Sequence, residues 1–143
     1  MDLFLKRLAD NWLESHEDGE ILLKCQNTLD DEVIAVYSNN TIYLLGRTYP
    51  TILFAPKMLL SKQEQCIKIE DVLCKQNNIG NGSILMLSLF EYCKRHQITT
   101  ITGYLSSVDN DHKARRDHYY NKFGFIVTDH SILKELTYEE IAK

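Results

Sequence analysis

The run Gln76-Asn77-Asn78-Ile79-Gly80-Asn81-Gly82-Ser83 constrains this chain more than any other stretch. It stands between an apolar segment with strand character, Cys66 to Leu73, and one with helical periodicity, Ser83 to His96. In that helix Leu85, Met86, Leu89, Phe90 and Cys93 share a face, and Lys94, Arg95 and His96 suit its C-terminal end. A strand that passes through glycines into a helix is a general device for holding phosphate. First-turn N–H groups have no intrahelical partner, the helix dipole favours an anion there, and glycine lets the backbone approach closely. Two standard phosphate loops are excluded. No lysine follows Gly82, as a Walker A loop needs, and position 85 is leucine where GxGxxG demands a third glycine. The same residues also suit a plain strand-to-helix turn.

The rest of the chain frames this loop. Leu3, Phe4, Leu8, Trp12 and Leu13 predict an amphipathic helix over residues 2–14. Strands are expected at 21–25, 32–37 and 41–45, the last two joined through Asn39-Asn40, residues that tolerate the positive φ of a tight hairpin. Pro50 and Pro56 suggest edge strands or irregular backbone over 46–64. Beyond the central helix come a strand at 98–105, a polar helix at 109–122, strands at 125–127 and 132–136, and a short helix opened by Thr137-Tyr138-Glu139-Glu140. Strands then alternate with helices, the pattern of an α/β domain on a mixed sheet.

Composition narrows the classes. With 143 residues, 44% of them hydrophobic, the chain can bury a core as a single domain without metal or disulfides. A net charge of −4 argues against nucleic acid as a partner. Cys25, Cys66, Cys74 and Cys93 form no CxxC pair and no zinc spacing, so no metal site is expected. No N-terminal run is apolar enough for a signal peptide or a membrane span, and the expectation is a cytoplasmic protein with reduced thiols.

About forty residues after the glycine loop stands Tyr120-Asn121-Lys122-Phe123-Gly124-Phe125. Together the two runs resemble the signatures of the GNAT superfamily, the CoA-dependent N-acyltransferases. Asn77 to Gly82 is similar to the family's (Gln/Arg)-x-x-Gly-x-(Gly/Ala) motif, and Tyr120 to Phe125 to its Tyr-x-(Lys/Arg)-x-Gly-Phe. The resemblance covers about 66–127. It implies a mixed, mostly antiparallel central sheet flanked by helices, with an acyl-CoA cleft between splayed central strands. It implies that Asn77, Asn78, Ile79, Gly80, Asn81, Gly82 and Ser83 wrap the CoA pyrophosphate, that backbone N–H groups at Val72 or Leu73 meet the thioester oxygen, and that Lys122 contacts the nucleotide phosphates. Tyr120 would protonate the departing thiolate, since a phenol of pKa about 10 keeps its proton at neutral pH. Packing beside Tyr119, with the hydroxyl at the surface, is the structural reading of Tyr120.

For the general base, strand alternation puts Glu70 and Val72 on one face and Asp71 on the other; Glu70 is the candidate, against plain solvent-facing charge. Cys74 has no visible base partner and reads as structural. The chain departs from the family in three places. Asn77 replaces the leading Gln or Arg. Lys113 stands where family members often carry Asn, although Asp109 and Asn110 lie nearby. The two helices that usually follow the first strand are missing. Lys113, Arg115 and Arg116 suit either the CoA 3′-phosphate or a solvated helix face.

The expectation is a single-domain N-acetyltransferase moving an acetyl group from acetyl-CoA, its acyl-donor substrate, to an unidentified primary amine by direct attack. A homodimer through an exposed strand edge is compatible with the pattern. The alternatives are a catalytically silent CoA-binding or protein-interaction module on the same scaffold, and an unrelated α/β domain whose glycine loop is only a turn.

Overall fold

Asp2 opens the first element. Its side chain accepts the Phe4 N–H at 2.7 Å and caps α1 (Leu3–Ser15). The computed structural model describes residues 2–74, 80–105 and 110–137, with backbone alone at 110–112. It contains β1 (Glu20–Gln26), β2 (Glu32–Ser38), β3 (Thr41–Gly46), β4 (Lys57–Gln63), β5 (Cys66–Leu73), α2 (Asn81–His96), β6 (Thr100–Tyr104), α3 (Asn110–Lys122), β7 (Ile126–Val127) and β8 (Ser131–Glu135). The strands form one eight-stranded sheet in the order β1-β2-β3-β4-β5-β6-β8-β7. The pairs β1/β2, β2/β3, β3/β4, β6/β8 and β7/β8 are antiparallel, and β5/β6 is parallel. A parallel pair needs a crossover, and α2 provides it. The result is the α/β domain on a mixed sheet that the sequence pattern predicts, mostly antiparallel and flanked by helices as the resemblance implies.

Two compact units divide the chain: Met1–Leu60 with Asp71–Tyr92, and Ser61–Glu70 with Cys93–Lys143. In the first, Leu5, Ala9 and Trp12 recur at helical spacing and pack with Ile34, Val36 and Leu45. Trp12 donates its Nε1–H to the Tyr37 carbonyl at 2.9 Å, so the one polar atom of the indole is satisfied inside the core. Tyr37 points to the opposite face of β2, where its ring lies 4.3 Å from that of Tyr92 on α2. Helices on both faces explain why β2 is apolar almost throughout instead of alternating. The β2–β3 hairpin turns through Asn39 and Asn40, both with positive φ (49° and 60°), as its residue types predict.

The second unit holds β6, β7, β8, α3 and the first part of β5. Ile67, Ile69, Ile101 and Ile132 are buried there. Gly103 is favoured by close approach: a Cβ would stand 3.1 Å from both Ile132 and the Ile69 carbonyl. Helix α3 ends on Gly124 at φ 85°, with the Phe125 N–H donated to the Tyr120 carbonyl and the Gly124 N–H to that of Asn121. That is the Schellman stop, and it sends Phe125 into the core.

The expectation for 46–64 holds over 47–56, which is irregular backbone, and needs correcting beyond it. Residues 57–63 form an interior strand, β4, between β3 and β5. Pro56 precedes the strand, so it removes no ladder donor, and its carbonyl accepts the Leu44 N–H at 3.0 Å. The helix expected from Thr137 lies, apart from that residue, outside the described residues. No helix among the described residues is long and apolar enough to cross a membrane.

Candidate functional site

Gly80, Asn81, Gly82, Ser83, Val72 and Leu73 belong to the first unit; Glu70, Tyr120 and Lys122 belong to the second. Asn77, Asn78, Ile79 and Asp109 lie outside the described residues. Gly80 has φ 87°, a value that favours glycine, and its carbonyl accepts the Ile84 N–H at 3.0 Å. It therefore stands just before α2, which begins at Asn81, two positions earlier than the apolar periodicity indicates. The Gly80–Ser83 backbone stands at the positive end of a sixteen-residue helix with no acidic side chain in its first turn. An anion would meet no carboxylate of the helix there.

Asn81 sits between the two glycines and is only 4% exposed. Its Oδ1 faces the Nδ2 of Asn27, 3.5 Å away, in the β1–β2 turn. The next residue of that turn, Thr28, lies against Gly80: a Cβ on Gly80 would stand 3.4 Å from the Thr28 methyl. Sequence reading gives no role to Asn27 or Thr28. Their Asn-Thr-Leu-Asp-Asp setting reads as an ordinary turn, and only the tertiary fold brings it to the loop. Asn27 and Asn81 also line a small surface groove with Arg47 and Tyr49.

At the end of β5 the Val72 N–H is donated to the Asp71 carboxylate at 2.8 Å. Leu73 is exposed. Cys74 is half-buried, and burial raises its thiol pKa, so the thiolate a nucleophile requires is disfavoured.

In the second unit, Tyr120 is buried, its ring set edge-on to Tyr119 (5.0 Å) and Phe125 (5.5 Å). The packing beside Tyr119 that the structural reading expects is present, and the residue as a whole is 7% exposed. Lys122 is exposed, with its ammonium 5.2 Å from the Phe123 ring. Asp117 engages Lys113 at 2.6 Å and Arg116 at 3.4 Å, so two of the trio Lys113, Arg115 and Arg116 already have a carboxylate partner. Glu70 accepts a hydrogen bond from Ser61 Oγ at 2.7 Å and pairs with Lys68 at 3.2 Å. Ser61 first and Lys68 second hold its carboxyl below its ordinary value. A base for an amine proton is favoured by a raised pKa, so these contacts make Glu70 a weak proton acceptor. Among the described residues no group of three His, Cys, Asp or Glu side chains is placed to hold a metal ion.

No protein-family model matches the sequence, and no curated protein matches it. Solved structures do. Ard1 from Thermoplasma volcanium matches at TM-score 0.55 and 16% identity, over 68% of this chain and 71% of that one. The PaiA N-acetyltransferase from Thermoplasma acidophilum in complex with coenzyme A matches at TM-score 0.54 and 14% identity, over 66% of this chain and 59% of that one. A GNAT-family acetyltransferase from Staphylococcus aureus Mu50 matches at 0.50 and 12%, over 68% and 67%. At such identities the likeness is one of fold, and the fold of this chain is that of the GNAT acetyltransferases.

Proposed function

We propose that this GNAT fold is a single acetyltransferase domain that carries an acetyl group from acetyl-CoA to a primary amine, acting in the cytoplasm. The observation that carries the reading is the start of α2. A positive-φ glycine follows β5 and opens a long helix without first-turn acid, in a fold shared with a protein solved in complex with coenzyme A. The backbone from Asn77 to Ser83 would hold the pyrophosphate, and Lys122 a nucleotide phosphate. The amine nitrogen attacks the thioester carbon, the oxyanion takes a backbone N–H at Val72 or Leu73, and the C–S bond breaks as Tyr120 gives its proton to sulfur. The proton released by the amine leaves through Glu70, by way of water.

A second reading, a CoA-binding module without turnover, is favoured by two contacts. The Val72 N–H is engaged by Asp71, and Glu70 is an ion-paired, weak acceptor. Calorimetric titration with acetyl-CoA, beside Gly82→Asp and Tyr120→Phe variants, tests both. Binding abolished by Gly82→Asp supports the loop assignment. A Tyr120→Phe variant that retains CoA affinity but loses roughly 10²–10⁴-fold in turnover supports the acid role. Wild type that binds without turnover on any amine selects the silent module, and a folded chain that binds no CoA rejects both readings.

A further inference from the structure

The two glycines that suit the loop to a phosphate also make it soft, because glycine loses more backbone freedom on ordering than any other residue. A loop that binds an anion through its backbone gains affinity when its donors are already held in place. The β1–β2 turn supplies a hold. Asn27 Oδ1 accepts the N–H groups of Leu29 (2.9 Å) and Asp31 (3.2 Å), and the Asn27 N–H is donated to the Asp31 carbonyl (3.0 Å). The turn therefore fixes the Asn27 carboxamide and leaves Nδ2 as its outward donor. That donor faces Asn81 Oδ1, on a side chain buried to 4% exposure between Gly80 and Gly82. Thr28 closes on Gly80 from the same turn.

We propose that Asn27 is a positioning residue for the phosphate-binding backbone of Gly80–Ser83, acting through the buried carboxamide of Asn81, with Thr28 as the adjoining wall. The inference rests on the reading of this loop as the CoA site. The β1–β2 turn thus adds to the affinity that the glycine loop sets, although it contributes no ligand contact.

A double-mutant cycle tests it, with CoA affinity read by calorimetry on the full chain. Asn27→Ser is expected to weaken CoA binding roughly threefold, the low end of one neutral hydrogen bond's worth for a contact 3.5 Å long. The same substitution in an Asn81→Ala background is expected to change affinity by less than about twofold, because its route to the loop is gone. A merely structural role for Asn27 would weaken binding equally in both backgrounds, and that result overturns the proposal, as does an Asn27→Ser variant with unchanged affinity. Hydrogen exchange at Gly82 and Ser83 in the unliganded single variant is a second reading: faster exchange is expected, and wild-type rates overturn the proposal even if the double variant does not fold. Wild type that binds no CoA overturns the loop assignment itself. Wild type that binds, with indifferent variants, overturns only the brace.

Discussion

Asp18 shows how much one exposed carboxylate can organise. It accepts Ser38 Oγ at 2.5 Å and the Asn39 N–H at 2.8 Å, tying the turn after α1 to the β2–β3 hairpin. Those bonds, the Ser38 hydroxyl foremost, hold its carboxyl below the ordinary 3.8. A depressed carboxylate contributes stability that is fully present above its unfolded value and disappears as pH falls through its folded one. Wild type is therefore expected to melt above Asp18→Asn at neutral pH, and the gap is expected to narrow once pH drops below 3.8; thermal melts across pH check it. Nothing in the sequence singles Asp18 out, since its partners lie twenty and twenty-one residues away. The same holds for Glu70. Alternation makes it a candidate base, whereas its partner Ser61, nine residues away on the neighbouring strand, decides that it holds its proton weakly.

Elements were more legible than single contacts. The hairpin through Asn39-Asn40 could be read directly, because positive φ at two successive residues is a local steric demand that asparagine meets. Replacing Asn39 (φ 49°) with the β-branched valine is expected to cost about 1–2 kcal/mol. At about 2–4 °C of melting temperature for each kcal/mol in a chain of this size, calorimetry resolves it. Gly124 and Phe125 are local in the same sense, a helix stop encoded within six residues. Strand β4 was not. The prolines before it argue for an edge, and only the pairing of β3 and β5 on its two sides shows that Pro56 stands just outside the ladder.

For the molecule as a whole, ligand linkage gives the broadest check. If the loop holds acetyl-CoA, a hundredfold excess over the dissociation constant stabilises the native state by about 2.7 kcal/mol. A raised melting temperature is expected for wild type and none for Gly82→Asp. An unmoved melting temperature for wild type would reject the donor substrate. What the sequence determined by itself is local or periodic: helix faces, the Asn39-Asn40 turn, the glycines before α2 and the spacing of Tyr120 from Gly124. These follow from steric and burial rules that act within a few residues. The tertiary structure decided the neighbours: Asn27 against Asn81, Ser61 on Glu70, Asp117 across two basic residues, Tyr37 on Tyr92. Such pairings depend on which strands and helices the sheet order brings side by side, and in the case of Asn27 and Asn81 fifty-four residues of chain intervene.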